Sequence, residues 1–267
     1  MRKIVFALVL LLPVSVYAKG SQTSWPDERE KGSYQAKIAS TGKILWQVHW
    51  ETAVKQEDGR AKVEVREQGN GRPWHSKEPV VWQKKMLFQE GPVLEMQSMS
   101  SSKWSEAGQS LEEIEFEADP ALRRIRYTNS EAGKRPESAV LPWTPQSIPD
   151  EMLFHWARTL PFEKAVLGGQ PSAECTLVLS PRQQVRIKAQ VRGIERVTTP
   201  AGTFSCYRVE LVPQLFGPLK ALAPRMSLWC RTQSPNIWVR YQGPVGGPGS
   251  PEAVIELVQF DQGDKAQ

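Results

Sequence analysis

The residues of this sequence that could carry out chemistry begin with three cysteines, at positions 175, 206 and 230. A thiolate can act as a nucleophile, bind a metal ion or form a disulfide. Catalysis by a cysteine would require a partner such as His155 and an Asn or Asp that orients the histidine. The sequence places no such orienting residue near the cysteines or His155, so it does not favour cysteine catalysis.

The remaining chemistry-bearing residues show no recognised spacing. His49, His75 and His155 share no ligand pattern, and neither His-Glu-x-x-His nor Cys-x-x-Cys occurs. No Gly-x-Ser-x-Gly elbow is present, and the glycine-rich segment 243–249 contains prolines and lacks a following Lys-Ser/Thr. We therefore predict no metal, no cofactor and no enzymatic activity.

Residues 1–18 have the organisation of a secretory signal peptide. A basic start at 1–3 precedes an apolar run at 4–14, and small residues at Val16 and Ala18 suit cleavage after Ala18. The run is shorter than the roughly 20 apolar residues of a membrane span. We predict export to the periplasm, with no transmembrane segment after processing.

Export changes the prediction for the cysteines, because disulfides persist in oxidising compartments. Cys206 and Cys230 are expected on neighbouring strands, where two cysteines can approach the required Cα distance. They are candidates for a disulfide. The alternative is that Cys175, Cys206 and Cys230 are all buried free thiols, which behave as small apolar side chains.

Composition indicates a folded protein with a mild positive charge. Hydrophobic residues make up 40% and charged residues 24% of the 267 residues. Removing Arg2 and Lys3 with the signal peptide lowers the formal charge from +5 to +3. Such a charge argues against a nucleic-acid partner, which requires a concentrated basic patch. A basic row on one strand face could bind anionic lipid headgroups or polysaccharide, or be an ordinary solvated face; it comprises Arg182, Arg186, Lys188, Arg192 and Arg196.

The hydrophobic pattern has a period of two along most of the chain. Ile44, Trp46, Val48 and Trp50 alternate with polar residues, and segments 61–66 and 185–192 alternate in the same way. This alternation is typical of antiparallel strands with one buried and one solvated face. In the hairpin 111–128, a four-residue loop at 118–121 predicts three complementary pairs. They are Glu115 with Arg124, Glu113 with Arg126, and Ile114 with Ile125.

One helix is predicted at about 148–160. Ser147 can cap its start, Leu153 and Trp156 lie on one apolar stripe, and Pro161 ends it. A proline-rich crossing at 133–149 precedes this helix.

These elements predict a mainly β fold in a single domain at 19–267. An apolar helix isolated among strands needs a sheet to cover it. We therefore predict a curved antiparallel meander sheet, an incomplete barrel, that wraps one amphipathic helix.

The aromatic residues that face this helix have two interpretations. Trp46 and Trp50 share the apolar side of one strand, while Leu153 and Trp156 share the helix stripe. Because aromatic side chains bury large areas, they can simply form the core. Alternatively, these four residues line a ligand pocket.

The segment 191–211 contains the pattern V-x-G-x-E-x-V-x-x-P-A-G-T-F-x-C-Y-x-V-E-L. It resembles a family of exported bacterial proteins that carry a domain of unknown function. The resemblance extends over about residues 145–260 and includes Trp229 and the strand 237–241. The family is similar in fold to periplasmic lipoprotein-carrier proteins. This implies an incomplete barrel enclosing an apolar cavity, and it supplies no catalytic residues.

Two functions are compatible with these sequence features. The first is a periplasmic, non-enzymatic binding or carrier-like protein for an apolar ligand such as a lipid or acyl chain; this ligand class rests on analogy of fold. The alternative is an envelope module with a filled core that interacts with a protein or a polysaccharide. A carrier requires a connected apolar cavity of about 300 Å³ or more.

Overall fold

The computed structural model describes residues 29–57, 60–74, 76–89, 95–166, 168–215, 217, 223–245 and 250–262. The predicted signal peptide at 1–18 and His75 lie outside these residues. No helix in the described ranges is long and apolar enough to cross a membrane.

The described residues form fifteen β-strands, two short α-helices and a 3₁₀ turn at Asp150–Met152. Most connections between strands are short, as expected for a meander. The elements are β1 (Glu30–Ile38), β2 (Ile44–Glu57), β3 (Arg60–Gly71), β4 (Val80–Gln89), β5 (Glu95–Ser105), β6 (Ser110–Asp119), β7 (Arg124–Glu131), β8 (Glu137–Pro142), β9 (Ser147–Pro149), α1 (Leu153–Ala157), α2 (Glu163–Val166), β10 (Ser172–Ser180), β11 (Gln183–Thr199), β12 (Gly202–Pro213), β13 (Met226–Arg231), β14 (Trp238–Pro244) and β15 (Glu252–Gln262).

All fifteen strands belong to one sheet, in the order β8-β7-β6-β5-β4-β3-β2-β1-β15-β14-β13-β12-β11-β10-β9. Neighbouring strands are antiparallel except β9 and β10, which are parallel. The sheet does not close, because β8 and β9 remain at its two ends. The predicted mainly β fold with an open, curved antiparallel meander is confirmed.

The two faces of the sheet differ in composition. The face that contacts α1, which we call the inner face, carries the apolar side chains of the core. Phe154 of α1 packs on Trp238 and Tyr241 of β14, with ring centroids 4.8 and 4.9 Å apart. The opposite side, which we call the outer face, carries mainly polar and charged side chains. The alternation seen in the sequence therefore corresponds to this division.

Two tryptophans of the inner face occupy space that a neighbouring strand leaves free. Gly32 lies opposite Trp50 in the β1–β2 register, and Gly69 lies opposite Trp82 in the β3–β4 register. A Cβ atom at Gly32 would approach the Trp50 ring to 2.8 Å, and one at Gly69 would overlap the Trp82 ring. Glycine is required at both positions because the indole covers the adjacent backbone.

The helix is much shorter than the predicted 148–160. Residues 147–149 form β9, where Thr176, Leu177 and Val178 of β10 pair with them. The Ser147 hydroxyl accepts a hydrogen bond from the Thr144 backbone N–H at 3.1 Å, so it stabilises a turn and does not cap a helix. The apolar residues of the predicted stripe are nevertheless buried, as expected.

Two further expectations differ from the structure. The proline-rich crossing at 133–149 contains strand β8, whose prolines fall at its end and outside it, as an edge strand tolerates. In the β6–β7 hairpin the register differs from the prediction by four residues: Arg126 lies opposite Glu117 and not Glu113, and Arg124 lies opposite Asp119 and not Glu115. The Asp119 carboxylate accepts a hydrogen bond from the Leu122 backbone N–H at 3.0 Å, which places the turn after Asp119.

The contact between Gly69 and Trp82 gives a prediction for stability. Gly69→Ala should lower the free energy of unfolding by about 1–3 kcal/mol, because the methyl group overpacks the indole. Urea unfolding followed by tryptophan fluorescence measures this change. Gly193→Ala is the matched control, since a Cβ there meets nothing within 4 Å. Equal stability of the two variants would show that the indole does not restrict position 69.

Candidate functional site

A groove of about 720 Å³ lies on the outer face, across β15, β1, β2, β3, β4 and β5. We call it the outer groove. Two adjacent rows of outer-face side chains line it, as the strand register shows. Four residues whose side chains belong to the inner face also border the groove, because their strands form its floor: Gly32, Trp50, Glu67 and Lys84.

The first row crosses six strands and consists of residues with amide, hydroxyl or imidazole groups. In the register, Gln259 lies opposite Ser33, Ser33 opposite His49, and His49 opposite Gln68. The row continues from Gln68 to Gln83 and then to Ser102. We call this set the glutamine row: Gln259, Ser33, His49, Gln68, Gln83 and Ser102. Ser33 is 7% exposed and does not line the groove, whereas the other five residues do.

The second row runs beside the first and carries charges of both signs. Lys31 pairs with Asp261 at 3.1 Å. Arg66 and Lys85 approach Glu64 at 2.6 and 3.3 Å. We call this set the charged row: Asp261, Lys31, Glu51, Arg66, Lys85 and Ser100. Although burial raises the pKa of Glu64, its bonds to Arg66 and Lys85 outweigh burial and lower it.

Glu67 connects the border of the outer groove with the interior. Its Oε1 lies 3.2 Å from Nε2 of His155 on α1, and both side chains are largely buried. Burial raises the pKa of Glu67, but the hydrogen bond with His155 and the charge of Lys84 leave it below its ordinary value. This contact therefore links α1 to β3, the strand that carries Gln68.

A buried ion pair fixes the other end of the helical segment. Nη2 of Arg158 donates hydrogen bonds to both carboxylate oxygens of Glu30 on β1, at 3.0 and 3.3 Å. The side chains are 2% and 0% exposed. Thr52 on β2 donates a further hydrogen bond to Glu30 at 3.4 Å. Such a desolvated carboxylate is stable only because these donors surround it.

Asp150 and Glu151 form an acidic pair ahead of α1. Limited hydration and the adjacent Glu151 charge raise the pKa of Asp150 well above its usual range. Burial also opposes ionisation of Glu151, but Lys84 and the hydrogen bond with Asp150 lower its pKa. Asp150 therefore loses its proton at a higher pH than Glu151 does. No group of three or more potential metal-ligating residues occurs in the described ranges.

Of the four residues predicted to line a pocket, Trp50, Leu153 and Trp156 lie within the core, and Trp46 is partly buried and packs against it. Trp50, Leu153 and Trp156 are 4%, 7% and 4% exposed, and Trp46 packs edge-on against Trp82 at 6.1 Å. Trp50 also stacks on Tyr34 at 5.9 Å. Their positions correspond to the core-packing interpretation, and they face other side chains of one continuous cluster.

The cysteines are buried free thiols in the structure. Cys206 lies opposite Arg231, whereas Cys230 lies opposite Tyr207. Because directly opposed residues of a strand pair share a face, the Cys206 and Cys230 side chains leave their strands on different faces. The candidate disulfide is therefore not formed here. Burial raises the pKa of the Cys175 and Cys206 thiols to about 12, so they are weak nucleophiles.

The basic row on β11 and its preceding turn is largely neutralised. Arg186 pairs with Glu174 at 2.7 Å, Arg182 with Glu137 at 3.4 Å, and Arg192 with Glu210. Acidic partners on β8, β10 and β12 thus neutralise three of the five basic residues that could have bound an anionic surface. This arrangement is typical of a solvated sheet face.

Sequence reasoning did not identify the outer groove. Its glutamines are ordinary polar residues of alternating strands, and only the cross-strand register brings them together. A signal did exist: residues 98–102 hold four serines, which leave short side chains on a strand expected to carry long ones. The buried Glu30 was equally hidden, because it is the first residue of β1 and one of several acidic residues in that part of the sequence.

Comparison with known proteins supports the fold. No protein-family model and no curated protein matches the chain. The solved structure of a β-barrel-like protein of the domain of unknown function DUF1849, from Brucella abortus, covers 90% of this chain and 100% of its own. Its TM-score is 0.54 at 11% sequence identity. This likeness shows a shared fold.

A candidate lipoprotein from Parabacteroides distasonis covers 89% of this chain and 98% of its own, with a TM-score of 0.39 at 11% identity. An exported-protein candidate from Bacteroides fragilis covers 88% and 96%, with a TM-score of 0.34 at 11% identity. The family that residues 191–211 resemble stays a prediction.

The buried pair of Arg158 and Glu30 gives a second prediction. Glu30→Gln should lower the free energy of unfolding by about 3–5 kcal/mol, because it leaves a buried guanidinium without its counter-charge. Glu117→Gln is the control, since Glu117 forms an exposed pair with Arg126 that is worth about 1 kcal/mol or less. Guanidinium unfolding of both variants measures the difference. A loss as small as that of the control would contradict the stabilising role of this pair.

The depressed pKa of Glu67 gives a prediction for pH. Its stabilising contribution is fully present above the ordinary glutamate value of 4.5 and is lost as the pH falls through the lower, folded-state pKa. Glu67→Gln should cost about 1–3 kcal/mol at pH 7, and its stability should fall less steeply in acid. Thermal unfolding between pH 7 and pH 3 tests this, with Glu115→Gln on the outer face as control. Parallel curves for wild type and Glu67→Gln would refute it.

Proposed function

We propose that this chain is a non-enzymatic binding protein of the bacterial envelope, and that its outer groove binds polysaccharide. The observation that carries the proposal is a concavity of about 720 Å³ lined by hydrogen-bonding side chains from six adjacent strands. Polysaccharides present dense hydroxyl groups over an extended length, and such a surface can match them with many individually weak bonds.

The position of the apolar residues supports this function over that of a carrier. Trp50, Leu153 and Trp156 pack against the core and leave little accessible surface for an acyl chain. An apolar ligand at these residues would have to displace well-packed neighbours, which is costly. A ligand can instead enter the outer groove without any opening of the fold.

Export fits the same proposal. The signal-like segment at 1–18 would deliver the chain to a compartment that contains envelope polysaccharide. The structural neighbours described as exported or as lipoprotein candidates are compatible with an envelope location. Localisation can be tested directly by fractionating cells that produce the full chain.

Co-sedimentation with insoluble, protein-free envelope polysaccharide tests the proposed function. Wild-type protein should pellet with the polysaccharide, and Ser100→Trp should remain in the supernatant because the indole fills the groove. Ser205→Trp is the control, since Ser205 is an exposed serine on β12, away from the groove. Equal melting temperatures of the variants would confirm that both are folded.

Three outcomes would contradict this function. The first is equal sedimentation of both tryptophan variants, which would place binding outside the groove. The second is a lipid adduct seen repeatedly by native mass spectrometry of protein purified from periplasm, which would support the apolar-ligand carrier. The third is binding of a purified envelope protein at the groove without polysaccharide binding.

A further inference from the structure

We infer that the ligand of the outer groove is an uncharged glycan chain that lies across the strands, along the glutamine row. This inference rests on the proposed function, because it specifies the polysaccharide that the groove selects. It depends on three features of the groove: the type of its hydrogen-bonding groups, the pairing of its charges and the direction of the row.

The glutamine row offers both donors and acceptors at each step. A glutamine amide carries two N–H donors and a carbonyl acceptor, and a serine hydroxyl or an imidazole can also do both. Sugar hydroxyls have the same dual character. Within the described parts of the chain, no hydrogen bond to another side chain occupies Gln68, Gln83 or Gln259, so their amides are available to a ligand.

The charged row argues against a polyanionic ligand. Lys31 is paired with Asp261, while Arg66 and Lys85 share Glu64. Glu67 and Lys84, at the border of the groove, add one charge of each sign. A polyanion would have to displace these carboxylates or lie beside them, whereas steering of an anion requires a surface of one sign. An uncharged ligand meets no such opposition.

The direction of the row favours a polymer over a single sugar. It crosses six strands from β15 to β5, which are about 4.8 Å apart, and so extends for about 24 Å. Contacts can repeat along the row because five of the six strands place one of its polar side chains in the groove, the exception being β1, where Ser33 is buried. Trp50 borders the groove but stacks with Tyr34 and Phe260. Binding therefore depends mainly on hydrogen bonds, and affinity should increase with the number of sugars.

NMR titration of the mature chain tests this inference with three probes: chitohexaose, a linear β-1,4-glucan hexamer and an anionic galacturonate hexamer. At least one uncharged hexamer should shift the side-chain amide signals of Gln68 and Gln83, and the corresponding disaccharide should bind at least tenfold more weakly. Raising the salt from 0.05 to 0.5 M should change the affinity less than twofold, because no net charge is neutralised.

Variants identify the residues that recognise the glycan. Gln68→Ala with Gln83→Ala should weaken binding about tenfold, from the loss of two modest hydrogen bonds. Gln184→Ala, an exposed glutamine on β11, is the matched control and should bind like wild type. Equal weakening by the control would contradict recognition by the row.

The outcomes separate this inference from the proposed function. If only the galacturonate hexamer binds, and its binding is sensitive to salt, the inference of an uncharged glycan is overturned. All three probes can fail while wild type, but not Ser100→Trp, still sediments with envelope polysaccharide. This result overturns the inference of an uncharged glycan and leaves the proposed function intact. Loss of sedimentation as well overturns both.

Discussion

The structure depends on how one very wide sheet covers its own apolar face. Fifteen strands expose far more inner surface than the five residues of α1 can bury. Because an uncovered apolar face is unfavourable in water, the sheet must curve until its inner side chains pack against one another. Large aromatic residues make this feasible, since each fills the space that a missing second layer would have occupied. Trp50 and Trp82 do so over glycines of the adjacent strand.

The few polar groups inside this core have a different role from the aromatics. Arg158 and His155 extend from the helical segment to Glu30 on β1 and Glu67 on β3. Apolar packing alone would allow a five-residue helix to settle in several orientations, whereas a buried ion pair tolerates only the one that satisfies it. The acidic residues on two central strands therefore determine where the helix lies.

Alternation along the chain was sufficient to predict most of the strands, the open antiparallel sheet and the buried helix stripe, because burial of one face dictates a period of two. It did not reveal β8 or β9, which lie in segments predicted as a crossing and a helix start. It was not sufficient for the helix boundaries, since pairing of residues 147–149 with β10 is a tertiary interaction that overrides local helix signals. The β6–β7 register was wrong because favourable charge pairs exist in more than one alignment, and the turn after Asp119 decided between them. The outer groove depends on six strands at once, so no local pattern could reveal it.

The position of β1 has a consequence for how the chain reaches this structure. The first described strand pairs with the last one, β15, in the middle of the sheet. All other neighbouring strands follow one another along the chain and can assemble locally as each hairpin is completed. The central joint instead requires the first and last described strands to meet, with more than 200 residues between them. Pairing β1 with β15 therefore closes a far longer loop than any other strand pair of the described sheet, and it carries the largest loss of chain entropy.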